Sequence, residues 1–251
     1  MDLEGLDILV TGGGRGIGRE IARGLDARGA RPILVGRDGA ALEETAALLR
    51  GRCGIRAADL ADRDAVDDLI EWCRRDRPDI AGLVNNAAVQ HEMRLVQGDA
   101  EAHAARAREE IALDLEAPMV LSMGLLPLLR SRDRALLCNV TSGVAFAPKE
   151  AAPGYCAAKA GLHAFTQALR YQCARDAPRI LVNEAILPMV DTAMTAGRGR
   201  GKIPARDAAE AILRGIEAGR AESWIGKARV LRVLRRVAPG LPERLLRGGR
   251  A

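Results

Sequence analysis

Three polar side chains in the middle of the chain have the types and spacing of an acid–base site. Tyr155 and Lys159 are four residues apart, so a helix would place both on one face. A buried ammonium beside a phenol favours the phenolate, and Lys159 is therefore expected to lower the pKa of Tyr155 and make it a general acid or base. Ser142 lies upstream and is expected to hydrogen-bond a substrate oxygen on which negative charge develops.

A glycine-rich segment near the N-terminus is suited to bind a dinucleotide. An apolar run at 6–10 leads into Thr-Gly-Gly-Gly-Arg-Gly-Ile-Gly at 11–18, and an amphipathic pattern follows. Glycines at such a junction let the backbone approach a pyrophosphate, whose charge is favoured by the free N–H groups at the start of a helix. The spacing predicts a cofactor turn built on Gly12, Gly16 and Gly18.

Two arginines indicate which dinucleotide this turn would hold. Enzymes that use NAD usually carry an acidic residue at the end of the second strand, where it binds the ribose 2′-hydroxyl. Here that position is Gly36, which is followed by Arg37, and Arg15 lies inside the glycine turn. Two guanidinium groups would make charge-assisted hydrogen bonds to the 2′-phosphate of NADP. We therefore predict NADP as the cofactor; the alternative is that both arginines simply face solvent.

The elements that would position these residues alternate along the chain. Short apolar runs predict strands at 6–10, 32–35, 55–58, 80–84, 135–140, 180–187 and 223–226. Amphipathic patterns predict helices that begin after the glycine turn and at 39–49, 64–74, 101–129, 154–174 and 207–218. This alternation predicts an α/β fold, a Rossmann-like doubly wound parallel sheet flanked by helices. We expect a single domain over residues 1–230, followed by a basic C-terminal tail over 231–251.

Composition excludes several other classes of protein. Hydrophobic residues make up 48% of the chain, too many for a disordered one, and aromatic residues only 2%, too few for a protein that stacks nucleic-acid bases. The five cysteines form no C-x-x-C pair and the three histidines have no ligand spacing, so neither a disulfide framework nor a metal site is expected. The N-terminus carries acidic residues rather than a signal peptide, and the apolar stretch 117–129 is too short to span a bilayer. We expect a cytoplasmic protein.

Five motifs together resemble the short-chain dehydrogenase/reductase family, over about residues 5–226. They are the glycine turn at 11–18, Asp-Leu at 59–60, Asn-Asn-Ala-Ala at 85–88, the Ser, Tyr and Lys at 142–159, and Leu-Pro-Met-Val-Asp-Thr at 187–192. The resemblance implies that Ser142, Tyr155 and Lys159 are catalytic, and it adds a dimer or tetramer formed through two long helices.

The resemblance also implies a cofactor role for residues spread along the chain. Those expected to contact the pyrophosphate and adenosine phosphate are Gly12, Arg15, Gly16, Ile17 and Gly18. Those expected at the adenosine end are Arg37, Asp59, Leu60, Asn85 and Ala87. Those expected at the nicotinamide end are Tyr155, Lys159, Pro188, Val190 and Thr192.

One position departs from the family pattern inside the catalytic set. The family usually has asparagine where this chain has Asp114, and that asparagine helps to hold a water on a proton path to the lysine. An aspartate can hold the same water. An ionised carboxylate would also weaken the help that Lys159 gives to Tyr155.

These residues predict an NADP(H)-dependent oxidoreductase that interconverts a small carbonyl compound and an alcohol by hydride transfer, with Tyr155 as general acid or base. The alternative is a non-catalytic NADP-binding redox sensor or scaffold. Arg198, Arg200 and Lys202 lie in a glycine-rich segment, where they either favour an acidic substrate or face solvent. The basic tail either packs on the domain, which we favour, or lies on an anionic membrane.

Overall fold

A seven-stranded parallel sheet forms the centre of the molecule. The computed structural model describes residues 1–238 and 240–241. The strands of the sheet are β1 (Asp7–Thr11), β2 (Arg31–Gly36), β3 (Gly54–Ala57), β4 (Ile80–Asn85), β5 (Ala135–Ser142), β6 (Ile180–Leu187) and β9 (Glu222–Trp224). They are arranged in the order β3-β2-β1-β4-β5-β6-β9, so the direction of winding reverses between β1 and β4. In doubly wound sheets, ligands bind at this reversal.

Helices cover both faces of the sheet. They are α1 (Gly16–Asp26), α2 (Gly39–Ala46), α3 (Arg63–Asp76), α4 (Ala100–Ile111), α5 (Ala117–Arg130), α6 (Pro153–Asp176), α7 (Ala205–Glu217) and α8 (Ala228–Val237). A two-stranded ladder, β7 (Val190–Asp191) with β8 (Ile203–Pro204), lies beside the main sheet. The architecture confirms the fold class that the alternating pattern predicts.

Side chains on the two faces of the sheet pack into two separate hydrophobic cores. Ile8 and Val10 of β1 pack with α1 and α7 on one face, whereas Leu9 packs with α3, α5 and α6 on the other. Both faces of β1 are covered, which is why the strand reads as a continuous apolar run rather than an alternating one.

The predicted elements agree with the observed ones to within a few residues, with one informative exception. The predicted helix over 101–129 is a helical rod from Ala100 to Arg130, but a five-residue π-helical turn, Ala112–Glu116, separates α4 from α5. Such a turn inserts one extra residue per hydrogen-bonded ring, and apolar periodicity does not reveal it.

The rod from Ala100 to Arg130 is the one helix among the described residues that is long and apolar enough to cross a membrane by length and composition. Three of its leucines, Leu121, Leu125 and Leu129, are fully buried against the sheet and α3. One such helix is weak evidence for a membrane span, because the core helix of a globular domain can have the same length and composition.

The first part of the predicted tail packs on the domain. Helix α8 begins at Ala228, before the boundary expected at residue 231, and buries Ala228 and Leu231 beside Trp224. The guanidinium of Arg235 lies 4.7 Å from the centre of the Phe146 ring. Residue 239 and residues 242–251 of the predicted tail lie outside the described part of the chain.

Leu125→Ala tests the core on the α5 side. Removing a fully buried leucine leaves a cavity, and the free energy of unfolding should fall by roughly 2–5 kcal/mol in urea titrations. The matched control is Leu48→Ala, because Leu48 is 52% exposed and should change stability by less than about 0.5 kcal/mol. Equal losses in the two variants would contradict this packing.

Candidate active site

The glycine turn after β1 is too crowded for side chains. Gly12 and Gly16 have φ values of +67° and +55°, in the left-handed region that favours glycine. A Cβ on Gly18 would lie 2.1 Å from the carbonyl oxygen of Gly12, so only glycine fits where α1 meets the turn. The glycines therefore allow a tight turn directly before α1, whose N-terminal N–H groups can bind a pyrophosphate.

Two polar residues that the sequence reasoning did not single out hold this turn against β4. The Thr11 hydroxyl accepts hydrogen bonds from the backbone N–H groups of Asn86 and Ala87, at 2.9 and 3.0 Å. The Asn86 side-chain amide donates to the Thr11 carbonyl oxygen at 3.0 Å and lies close to Gly18. These hydrogen bonds hold the ends of β1 and β4 together at the winding reversal. The Asn-Asn pair at 85–86 was the feature of the sequence that could have predicted them.

The two arginines differ in their surroundings. Arg15 is paired with Asp38, whose carboxylate also accepts a hydrogen bond from the Ala41 N–H and so caps α2. Arg37 is exposed at the end of β2, beside Gly36. Arg15 thus has a carboxylate partner, whereas Arg37 follows β2 with an exposed side chain.

The residues expected at the adenosine end are in different environments. Asp59 is exposed after β3, while Leu60 is buried in the core. Asn85 is also buried, and its amide donates to Asn139 Oδ1 at 2.8 Å and to Ser122 Oγ at 3.2 Å. The Asn85 side chain therefore braces β4 against β5 and α5. Ala87, two residues further along the chain, is partly exposed.

Lys159 lies at the centre of the predicted catalytic set. Its side chain is almost completely buried on α6, and its ammonium is 3.4 Å from Asp114 Oδ1. The ammonium also donates to the carbonyl oxygen of Val140 at 3.3 Å and lies 5.6 Å from the centre of the Tyr155 ring. The structure thus brings Tyr155, Lys159 and Asp114 together.

The π-helical turn explains how Asp114 reaches the lysine. Asp114 lies within Ala112–Glu116 and is fully buried, and its carboxylate also accepts from the Val89 N–H at 3.3 Å. The extra residue in a π turn changes the direction in which side chains point. Asp114 consequently joins the segment after β4 to the catalytic helix α6.

Burial shifts the two acids of this cluster in the same direction. Burial raises the pKa of Asp114 to about 6, against the opposing effect of Lys159. Burial also raises the pKa of Tyr155, and the Asp114 carboxyl adds to that rise. The rise in the Tyr155 pKa is opposite to the expectation that Lys159 lowers it. The reason is that Asp114 shares the Lys159 ammonium and that a buried phenolate is poorly solvated.

Ser142 ends β5 and begins a short 3₁₀ turn, Gly143–Ala145. Its hydroxyl accepts from the Val144 N–H at 3.4 Å, which orients the side chain at the carboxyl edge of the sheet. Behind the turn, the Phe146 ring packs between His163 of α6 and Trp224 of β9, with centroid distances of 4.4 and 4.7 Å. The aromatic contacts fix the turn relative to α6.

The residues expected at the nicotinamide end follow β6. Pro188 is partly buried, Val190 is buried in β7, and Thr192 approaches the glycine turn. A Cβ on Gly16 would lie 3.3 Å from Thr192 Cγ2, so the cleft is narrow between these two residues. The segment after β6 thus closes over the N-terminus of α1.

The basic segment beyond Thr192 is largely paired with acids. Arg198 lies 3.4 Å from a Glu92 oxygen, and Lys202 lies 3.6 Å from an Asp191 oxygen. Arg200 is exposed. Two of the three charges that would favour an acidic substrate are therefore compensated within the free chain. Among the described residues, no group of three or more His, Cys, Asp or Glu side chains is placed to hold a metal.

Comparisons with known proteins agree with this geometry. The family model described as short chain dehydrogenase matches residues 7–202. The Bacillus subtilis oxidoreductase DltE is 39% identical over 187 residues, 74% of this chain and 72% of that protein. Human short-chain dehydrogenase/reductase 3 is 32% identical over 172 residues, 67% of this chain and 56% of that protein.

Two solved structures share the whole fold. A short-chain dehydrogenase from Burkholderia cenocepacia in complex with NADP is 25% identical, with a TM-score of 0.85 over 98% of this chain and 99% of that one. A short-chain dehydrogenase from Sphingobium yanoikuyae in complex with NADPH is 25% identical, with a TM-score of 0.80 over 98% of each chain.

Asp114→Asn tests the electrostatics of the buried pair. The folded pKa of Asp114 is raised above 3.8, so its stabilising protonated form is lost as the pH rises through about 6. Between pH 4.5 and 7.5 the wild-type chain should lose about 2 kcal/mol that the uncharged asparagine keeps. Urea unfolding of both proteins across this range measures the difference. Parallel stability curves would contradict a raised pKa at Asp114.

Proposed function

The chain belongs to the short-chain dehydrogenase family, and on that premise we propose that it is an NADP(H)-dependent oxidoreductase that interconverts a carbonyl compound and an alcohol. The observation that carries the proposal is the buried Lys159 ammonium, which lies between the Asp114 carboxylate and the Tyr155 ring at the carboxyl end of β5. Burying that cation costs free energy that well-packed apolar residues would avoid, which supports a functional role for Lys159.

The cleft fits a nicotinamide dinucleotide on its own geometry. Gly12 and Gly16 adopt left-handed φ values, and a Cβ on Gly18 would clash with the Gly12 carbonyl oxygen, so only glycines allow this tight turn at the N-terminus of α1. Pro188, Val190 and Thr192 follow β6, and Thr192 lies against Gly16 of that turn. When bound, the cofactor supplies or accepts the hydride.

The remaining chemistry falls to the side chains of the chain. In reduction, the Tyr155 hydroxyl donates its proton to the carbonyl oxygen, while the Ser142 hydroxyl donates a hydrogen bond to the same oxygen. The Lys159 ammonium stabilises the phenolate that remains and holds the nicotinamide ribose. The raised pKa keeps Tyr155 protonated in the free chain, which is the form that reduction requires.

We further propose that NADP(H) is the preferred dinucleotide. Gly36 carries no carboxylate to bind a ribose 2′-hydroxyl, and the exposed Arg37 follows it. The Asp38 carboxylate pairs with Arg15 and caps α2, so it competes less with a 2′-phosphate for the Arg37 guanidinium. The two solved relatives bound to NADP and NADPH support this choice.

For the assembly and location we propose a homodimer or homotetramer in the cytoplasm. The rod from Ala100 to Arg130 and helix α6 expose Ile111, Met123 and Tyr171, apolar side chains that a second copy would cover. A non-catalytic NADP-binding sensor or scaffold is the alternative, and no described contact favours it over the enzyme.

Tyr155→Phe tests the catalytic proposal. Loss of the proton donor should lower kcat for NADPH-dependent reduction of a screened carbonyl compound by about 10²–10⁴-fold. The Kd for NADPH, measured by fluorescence titration, should change by less than about twofold, because the ring stays in place. Tyr171→Phe is the control, since Tyr171 is the other tyrosine and is 64% exposed. Full turnover in Tyr155→Phe would contradict the assignment of Tyr155 as the proton donor.

Arg37→Ala tests the cofactor preference. Loss of charge-assisted hydrogen bonds worth about 1.5–3 kcal/mol should raise the KM for NADPH roughly 10–150-fold and leave the KM for NADH nearly unchanged. Arg31→Ala is the control, because Arg31 lies at the opposite end of β2 and pairs with Asp7. A parallel rise for both cofactors would contradict a 2′-phosphate contact.

A further inference from the structure

A second buried carboxyl lies behind the catalytic cluster and has no role so far. Glu110 ends α4 one turn before Asp114, and its side chain is fully buried. A buried carboxyl is costly unless its oxygens receive hydrogen bonds. The partners of Glu110 therefore show what it does.

The two oxygens of Glu110 face two different segments. Oε1 accepts a hydrogen bond from the His91 N–H at 2.7 Å, in the segment that follows β4. Oε2 lies against the first turn of α6, where a Cβ on Gly154 would be only 2.1 Å away. Burial raises the pKa of Glu110, and the backbone N–H groups of His91 and Tyr155 partly offset that rise. Oε2 has no hydrogen-bond partner of normal geometry among the described residues.

Helix α6 begins without a cap of its own. It starts at Pro153, and the preceding residue, Ala152, has no side-chain acceptor. The first N–H groups of a helix have no partner within the helix, and a side-chain oxygen normally supplies one. A carboxylate at this end also interacts favourably with the helix dipole. In this chain a carboxyl from the neighbouring helix, that of Glu110, lies against this end of α6.

We propose that Glu110 is a positioning residue that caps the catalytic helix from outside and couples the Tyr155 turn to the segment around His91. The inference rests on the proposed function of Tyr155. Oε2 of the carboxyl positions the first turn of α6, and Oε1 positions the segment after β4 through the His91 N–H. Gly154 is part of the arrangement, because any larger residue would displace the carboxyl.

The charge of Glu110 gives the arrangement an electrostatic signature. The groups that face it are His91 after β4, Glu109 and Asp114 on its own helical rod, Lys149 after β5, and Tyr155 and Cys156 on α6. The negative charge of Glu110 disfavours the phenolate of Tyr155. Removing that charge should therefore make Tyr155 easier to ionise.

The first test is Glu110→Ala in the full chain, with hydrogen exchange and turnover as separate readouts. Loss of the cap should speed amide exchange in the peptide over residues 153–157 by about fivefold or more. It should also lower kcat roughly 10–100-fold, with little change in the Kd for NADPH. Glu109→Ala is the matched control: Glu109 is the adjacent residue, its carboxylate contacts only the His91 ring at 2.8 Å, and wild-type exchange is expected over 153–157.

Glu110→Gln separates position from charge. The amide keeps the size of the carboxyl and its oxygen can still accept from the His91 N–H, so kcat should fall less than about fivefold. The limb of the pH–rate profile that reports Tyr155 should move to lower pH by about half a unit, because the negative charge is gone. A merely structural role would leave this limb in place.

Three results would overturn the proposal. They are unchanged exchange over 153–157 in Glu110→Ala, unchanged kcat in that variant despite faster exchange, and an unmoved pH–rate limb in Glu110→Gln. If Glu110→Ala fails to fold, Gly154→Ala takes its place, since the new Cβ must displace Oε2 and should produce the same faster exchange and lower kcat. A failure of the proposed function appears differently, as full turnover in Tyr155→Phe, and leaves the exchange result standing.

Discussion

The contact between the Lys159 ammonium and the Asp114 carboxylate, 3.4 Å apart and closed to solvent, constrains much of the surrounding structure. Each charge is costly to bury, and a buried pair is tolerated only where further hydrogen bonds satisfy it. The Val140 carbonyl and the Val89 N–H supply those bonds. One electrostatic requirement thus ties together β5, the segment after β4, the π-helical turn and α6.

The same contact sets the proton chemistry of the site. A neutral amide at position 114 would leave the full charge of the ammonium to act on Tyr155, whereas the carboxylate shares it. Burial raises the pKa of Asp114 to about 6, so near neutral pH the pair is close to the point at which the acid takes up a proton. Tyr155 is in turn held protonated, which suits a proton donor.

The cofactor end and the catalytic end are organised by different forces. At the cofactor end the requirement is space: Gly12, Gly16 and Gly18 are held by backbone crowding and by left-handed φ values. At the Lys159 end the requirement is burial of charge, which α4 and the π-helical turn provide by packing against α6. The two ends meet where Thr192 lies against Gly16, so the segment after β6 links the nucleotide turn to the reacting groups.

Much of this could be predicted from the sequence, because the signals are local. The glycine turn, the alternation of apolar runs with amphipathic patterns, and the four-residue spacing of Tyr155 and Lys159 each depend on neighbouring residues and a known period. The fold class and the family follow from them. The identity of residue 114 as an acid was also readable, and with it the expectation of an unusual environment for the lysine.

Only the tertiary structure decided how residues far apart in the chain contact one another. The π turn that aims Asp114, the inward-facing hydrogen bonds of Asn85, the Thr11–Asn86 lock and the Glu110 carboxyl at the start of α6 all depend on packing between separate elements. The direction of the Tyr155 pKa is of the same kind, because desolvation is set by what surrounds the phenol. The sequence by itself determined which groups are present and which helix or strand carries them. Solvent exclusion and non-local packing decided which partner each buried polar group has, since only the folded chain makes an unpaired one costly.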